Sequence, residues 1–391
     1  MNIINTTENF KSPLIIDLGS SEVKAGFSGQ ERPKILFKTC MGETKFNKMI
    51  KNFDANNQQI KEKYIGEECD KYMPILKLKF PIEHGCFTSE EDILPLFNHV
   101  YSRLKMNSEE IKEHPVLITE PLLNKFKSRE KISSVLFDIL NVPALIFAAQ
   151  PILSIYSTSS TSGAILESGS GVTQSCILYE GFSLPCSHER YNYGGDDVSK
   201  NFMQLLHKQG YYFDTSAEYQ IVNDIKEHFC FTTFSKNFEH EKKCLEGSKE
   251  EENDHYFLPD GNIISIGVEK LLPAEILFRP DLIGCEFPSF QQMLYNSIDK
   301  ADVEIRNKLY ENVILCGGNT AIKNLNKRIW EELKKLSPYL QNIKIRSPNK
   351  PQLSAWLGGN IISSLEMINK MWVTQKEWDE IGDKIIHTKA I

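Results

Sequence analysis

One pattern occurs twice in this chain and constrains its fold more than any other. Residues 14–27 read LIIDLGSSEVKAGF, an apolar strand ending near Asp17, a turn of Gly and Ser, and a second apolar strand. Residues 164–179 read AILESGSGVTQSCILY, the same scheme with Glu167 at the acidic position. Apolar runs on either side of a small-residue turn predict hairpins. Their recurrence with Asp17 and Glu167 at equivalent points predicts two related α/β halves. A chain of 391 residues with 41% hydrophobic content is long enough to bury a core in each.

Segments 89–104 and 127–140 between the hairpins, and 197–209 and 216–230 after the second, carry helical periodicity. The run HEKKCLEGSKEEENDH at 240–255 reads as an exposed loop, and the Asn-, Gln- and Lys-rich stretch 44–63 as a surface insertion. A third glycine turn, ILCGGNT, closes a strand and opens a helix through Trp330, and the chain finishes in a charged tail.

Small residues in tight turns leave backbone N–H groups convergent and unshielded, and such nests bind phosphate oxygens. Two facing nests would clamp a polyphosphate. Asp17 and Glu167 at the strand ends would then hold a hydrated magnesium ion, which keeps most of its waters and needs few carboxylates. Lys24 reaches a phosphate from the first hairpin. A single DxGSS hairpin is more often a plain β-turn; its repetition as ExGSG, followed by a GG turn, is what shifts the balance to phosphate.

Bulk properties narrow the class further. The 45 basic and 52 acidic residues give a net charge of −7 and no basic face, which argues against direct nucleic-acid binding. Nine cysteines, odd in number and without a C-x-x-C pair, suit reduced thiols in the cytosol or nucleus. The polar start, MNIINTTENFKSP, has no signal core, and the most apolar stretch is broken by Pro143, Gln150 and Pro151 short of a membrane span. A soluble cytoplasmic protein without a membrane partner is expected.

The ordered segments DLGSSEVKAGFSG, KFPIEHG, ITEPLLN, NVPALIFAAQPILSIY, ESGSGVTQ, AEYQIVNDIKEHFC, LPDG, YNSI, CGGNT, AWLGGNIISSL and MWVTQKEWDEIG resemble the successive signatures of actin and actin-related proteins. The resemblance covers nearly the whole chain without a large insertion, in a layout closest to conventional actin and centractin. It implies an α/β fold of two ribonuclease H-like lobes around a nucleotide cleft. The first lobe would comprise residues 1–157 and 353–391, with an inserted subdomain at roughly 39–80; the second would comprise 158–352, with one at roughly 194–286. ATP or ADP with Mg²⁺ is the implied cofactor. The first phosphate loop would be Asp17, Gly19, Ser20, Ser21 and Lys24; the second, Glu167, Gly169, Ser170, Gly171 and Val172. The nucleoside side would be Gly195, Lys226, Glu227, Gly317 and Gly318. Asp17 and Glu167 would hold the metal through water, and Gln150 would orient the attacking water. Without the resemblance, Lys226 and Glu227 read as an exposed helix pair.

Departures from that family concentrate where hydrolysis would occur. Actins carry Asp where this chain has Glu167, Asp where it has Ser170, and His where it has Gln174. Glu167 reaches one methylene further, and a misplacement of about 1 Å can cost on the order of 10²-fold in rate. Ser170 removes a charge from the phosphate pocket, and Gln174 cannot titrate as an imidazole does. Ile322 stands for a family tyrosine and Gln352 for a family lysine beside the base. The expectation is a tightly held nucleotide and weak hydrolysis.

The resemblance also implies a partner cleft lined by Tyr156, Leu357, Ile361, Ile362, Leu365 and Met371, although Ile361, Leu365 and Ile368 are spaced as a buried helix face. The insertion at 44–63 is longer than the family's inter-subunit loop, and HTKAI replaces an aromatic terminus. Weak self-assembly and incorporation into a cytoskeletal complex, whether dynactin-like, ciliary or cortical, are expected. A nuclear chromatin-remodelling subunit and an active ATPase of the same superfold are the alternatives. A sugar kinase would need a catalytic acid and sugar-binding insertions near 181–195, and a heat-shock chaperone would need a further peptide-binding domain.

Overall fold

The computed structural model describes residues 10–44, 63–247, 253–258, 261–340 and 342–391. The expected surface insertion at 44–63 falls outside the described residues except at its two ends.

Two mixed sheets carry the fold. In the first, the strand order is Val373–Thr374, Ala144–Ala149, Val116–Glu120, Leu14–Leu18, Glu22–Phe27, Ile35–Lys38. In the second it is Phe182–Ser183, Thr173–Tyr179, Gly163–Ser168, Val313–Cys316, Ile345–Arg346. Both are built alike. Each hairpin is antiparallel, with Asp17 opposite Lys24 in one and Glu167 opposite Gln174 in the other. Each first strand then pairs in parallel with a distant strand, Leu14 with Val116 and Ala164 with Val313, and a third strand extends the sheet in parallel beyond it. The strands Leu14–Leu18, Val116–Glu120 and Gly163–Ser168 are buried throughout because helices cover both faces, which is why they read as unbroken apolar runs punctuated by a single carboxylate.

One short helix joins the halves. Gln150–Ser157 packs Leu153 with Ile15, Leu117 and Trp356, and packs Ile152 and Ile155 with Ile165, Cys176 and Ile314 from the other sheet. Its partner, Ser354–Ser363, crosses it so closely that a Cβ on Gly358 would stand 1.8 Å from the Leu153 carbonyl oxygen. No residue but glycine fits that crossing. Trp356 Nε1 donates to the Ile15 carbonyl at 3.2 Å and ties the pair to the first sheet.

Each half also carries an outer piece. Lys63–Ile65, Met41–Thr44 and Leu76–Lys79 form a small sheet beside the helix Glu67–Tyr72. The helices Gly195–Lys208 and Ser216–Phe229 enclose Phe202, Leu206, Val222 and Ile225 with Ile264 and Ile266 of a two-stranded hairpin.

Three expectations require correction. The charged run at 240–255 is not all loop: Phe238–Glu246 is a helix and Asp254–Phe257 a strand. Lysines and glutamates at i,i+4, such as Lys242 and Glu246, support a solvated helix as readily as a loop, so charge density alone misled. The C-terminal tail is docked. Ile385 and Ile386 are buried in the core, Ala149 N donates to the Ile391 carbonyl at 2.7 Å, and Lys389 Nζ lies 2.6 Å from Glu377. Finally, Ile362 belongs to the interior, 6% exposed beside Trp356 and Trp372, whereas Ile361 and Leu365 are 40% and 47% exposed. Of the cleft-lining set, Tyr156, Leu357 and Met371 pack partly buried on the same cluster.

Candidate functional site

Both hairpin turns point into one cavity of about 410 Å³, within the range that holds a small organic ligand. Asp17, Gly19, Ser20, Ser21, Lys24, Gln150, Glu167, Gly169, Ser170, Gly171, Val172, Gly195, Lys226, Glu227, Gly317 and Gly318 all line it. Every residue assigned to the phosphate loops, the metal, the attacking water and the nucleoside side is therefore brought to one place.

Hydrogen bonds hold the turns. Gly19 N donates to Glu22 O at 3.2 Å and Thr39 Oγ1 to Gly19 O at 2.7 Å. In the second turn Gly169 N donates to Val172 O at 2.9 Å, while Gly195 N and Asp196 N donate to the carbonyls of Gly169 and Ser170 at 3.0 and 2.8 Å. The turns almost touch: a Cβ on Gly171 would lie 3.3 Å from Ser20 Oγ. Gly317 has φ +85°, and a Cβ there would meet the Ser168 carbonyl at 2.2 Å, so the third turn also demands glycine.

Between the turns runs a buried polar chain. Asp17 accepts from Lys24 Nζ at 3.3 Å, from Thr119 Oγ1 at 2.5 Å and from Gln150 Nε2 at 3.1 Å. Gln174 Nε2 donates to Gln150 Oε1 and to Glu167 Oε2, each at 3.3 Å, and Ser154 Oγ donates to Glu167 Oε1 at 3.1 Å. Gln174 Oε1 in turn accepts from Leu122 N at 2.7 Å. Desolvation, with the charge of Asp17 adding to it, pushes the Glu167 carboxyl up to about 8. Without a bound metal ion this favours the protonated form of Glu167 near neutral pH.

At the other end, Lys226 Nζ donates to Gly195 O at 3.2 Å, and burial holds the amine below the usual lysine range. Asn319 donates through Nδ2 to Ser168 Oγ at 3.0 Å, but its buried Oδ1 has no partner among the described residues. A buried orphan acceptor on a cavity wall suits a ligand that brings a donor.

Contacts between the halves hold the second turn against the first half. His84 Nδ1 donates to Gly171 O at 2.6 Å, and Arg190 of the second half donates to the carbonyls of His84 and Leu122 at 2.7 and 3.0 Å. Ala355, in the helix Ser354–Ser363, and Gln352 just before it also line the cavity.

The sequence matches the family model for actin over residues 9–391. The chain is a member of the actin family. Its two-lobed α/β architecture is that of an actin fold, and actin-family folds generally bind ATP or ADP with Mg²⁺. The residues present fit that group: two glycine–serine turns whose backbone faces the cavity, Asp17 and Glu167 at the strand ends, and the unpartnered Asn319 Oδ1. No helix of this actin-family chain is long and apolar enough, among the described residues, to cross a membrane.

Sequence reasoning missed Thr119, Ser154, Asn319 and the Arg190 latch. Thr119 stands opposite Asp17 only because Val116–Glu120 pairs in parallel with the first strand, a register no local motif announces. It also took the loss of a carboxylate at Ser170 as a loss of charge. Asp196 Oδ1 accepts from Ser170 Oγ at 2.5 Å, so a carboxylate is present beside the loop, carried by the following helix.

Proposed function

We propose that this actin-family protein is a nucleotide-holding structural subunit of a cytoskeletal filament or complex in the cytoplasm, and that it hydrolyses ATP weakly. On this reading the lobes divide as residues 1–157 with 353–391 and residues 158–352, and partner protein segments dock near Tyr156, Ile361, Leu365 and Met371. The phosphates would lie between the turns Gly19–Ser21 and Gly169–Gly171, with Lys24 beside them. Asp17 and Glu167 would hold the Mg²⁺ through water, and Gly195, Lys226, Glu227, Gly317 and Gly318 would enclose the nucleoside. When bound, the magnesium–nucleotide supplies the phosphoanhydride and the charge that draws the Glu167 carboxyl into its ionised form.

The observation that supports weak hydrolysis is the amide chain. An attacking water needs an acceptor that holds it in line and a base that takes its proton. Gln150 offers an amide oxygen, but that oxygen accepts from Gln174 Nε2. Gln174 itself is not a base, and both of its polar atoms are engaged by Leu122, Gln150 and Glu167. The phosphate cradle is thus intact in backbone and blunted in side chain.

A single-turnover experiment with purified protein loaded with ATP tests this. One nucleotide per chain should co-purify or be taken up, and its γ-phosphate should be released at least ten times more slowly than from conventional actin under matched conditions. Equal rates would sink the hydrolysis claim, and absence of bound nucleotide would sink the whole reading.

A further inference from the structure

The small sheet at the edge of the first half encloses two thiols that no part of the nucleotide reading uses. Cys40 enters the strand Met41–Thr44, and Cys69 lies within the helix Glu67–Tyr72; both are buried, at 2% and 0% exposure, and both are free thiols. Gly66 links them. Its N–H donates to the Cys40 carbonyl at 3.0 Å, and its own carbonyl receives both Cys40 Sγ at 3.7 Å and Cys69 N at 2.9 Å. Cys69 Sγ sits 3.8 Å from the Cys40 carbonyl oxygen, so both thiols lie against the short backbone link between Cys40 and Gly66.

We infer that Cys40 and Cys69 form a dithiol modification site that peroxide converts to a disulfide, stapling the small sheet across its base. The convergence of both cysteines on the Cys40–Gly66 backbone link carries this. Their asymmetry assigns the roles: the hydrogen bond from Cys69, with Lys38 nearby, holds the Cys40 thiol below its usual value, while Cys69 is pushed up by that bond and by burial. Cys40 as thiolate is the better nucleophile. It attacks one oxygen of hydrogen peroxide, the O–O bond breaks, and a sulfenic acid forms with release of hydroxide, which takes up a proton to become water. Cys69 sulfur then displaces the sulfenic oxygen as the S–S bond forms, and its proton leaves with that hydroxyl as a second water. Two thiols and one peroxide give one disulfide and two waters; a reducing thiol such as glutathione reverses the step by exchange.

Access comes from the modest size of the enclosing core. Among the described residues its buried members are Cys40, Tyr64, Cys69, Leu76 and Leu78, a smaller cluster than those of the central sheets and one expected to open locally more often. A bridge would close a ring containing all of residues 45–62. Ring closure of this length restricts the open ensemble enough to slow local opening on the order of 10²-fold.

The test uses the full chain. After treatment with hydrogen peroxide, quenching, denaturation and alkylation, a peptide map should show Cys40 joined to Cys69. In Cys69→Ser, a dimedone adduct should appear on Cys40. In the wild type, hydrogen exchange over Met41–Thr44 and Lys63–Ile65 should slow on the order of 10²-fold after oxidation and recover with dithiothreitol. Separate alkyl labels on Cys40 and Cys69, while exposed Cys186 and Cys244 have reacted with peroxide, would overturn the inference. So would a bridge from either residue to a different cysteine. The wild-type map decides even where the serine variant does not fold, and neither outcome depends on whether nucleotide binds.

Discussion

The two hairpins share a backbone and differ in the residue across the pair. In each, a carboxylate closes the first strand and a small-residue turn follows. Across from Asp17 stands Lys24, 3.3 Å away; across from Glu167 stands Gln174, also 3.3 Å away. An ammonium in a buried site favours the charged carboxylate, whereas an amide donates one hydrogen bond and leaves most of the desolvation uncompensated. Glu167 accordingly rises to about 8. One duplicated scaffold thus holds a charged half and a half that is neutral until a cation arrives.

The largest effect should come from removing the feature that distinguishes the first hairpin. Lys24→Met leaves Asp17 buried without its cation and removes a lysine that offsets the Glu167 environment. Breaking a buried pair by deleting one partner typically costs about 3 to 5 kcal/mol, so urea unfolding of the variant should show a loss in that range. A loss under about 1 kcal/mol would mean that the Lys24–Asp17 pair does not act as a buried ion pair.

The second hairpin should show itself in pH. The folded protein keeps a proton on Glu167 between the ordinary glutamate range and about pH 8, where the unfolded chain has released it. The raised value therefore contributes most at low pH; its contribution is lost as pH rises and levels off above about 8. For nucleotide-free protein this amounts to about 3 kcal/mol between pH 5 and 8, at up to about 1.4 kcal/mol per unit. Glu167→Gln should flatten that slope in denaturant melts, and saturating Mg²⁺ with ADP should flatten it in the wild type. A slope unchanged in the glutamine variant would assign it to another group.

What was legible beforehand follows the same local-versus-distant division. Asp17, Lys24, Gly169 and Glu167 announce themselves because hairpin and turn chemistry is written within a dozen residues, and the duplication doubles the signal. Sequence reasoning takes Gln174 only as the replacement of a family histidine; that it stands seven residues after Glu167, as Lys24 does after Asp17, is a signal in the sequence left unused. Thr119, Asn319 and Arg190 were not legible, because parallel pairing and packing between halves join residues about a hundred positions apart or more. The helix Phe238–Glu246 was hidden differently: its charges satisfy a solvated helix and a loop equally, and packing decides.

Gln174 offers a smaller and more specific test. Gln174→His places a titratable ring next to Gln150 and Glu167 and frees the Gln150 oxygen from one donor. General base assistance is worth 10² or more in well-positioned sites, but here Glu167 still carries its extra methylene, so a gain of about 10-fold in single-turnover hydrolysis is expected. The gain should rise with pH as the imidazole loses its proton near its ordinary value. An increase without pH dependence would point to loop rearrangement.

The smallest effect concerns Ser170, where the family's carboxylate is missing but Asp196 stands at 2.5 Å. Ser170→Asp would restore the family residue and set two carboxylates against each other. Like charges in a partly exposed site cost about 1 kcal/mol, so the variant should be less stable by that amount and no faster at hydrolysis. Ser170→Asp combined with Asp196→Asn should recover the stability, because the asparagine can donate to the new carboxylate. If the double variant were as unstable as the single one, Asp196 would not be the residue that fills the charge at this loop. If it alone hydrolysed ATP faster, the position of the carboxylate, on the turn or on the helix behind it, would be what separates this hairpin from those of its relatives.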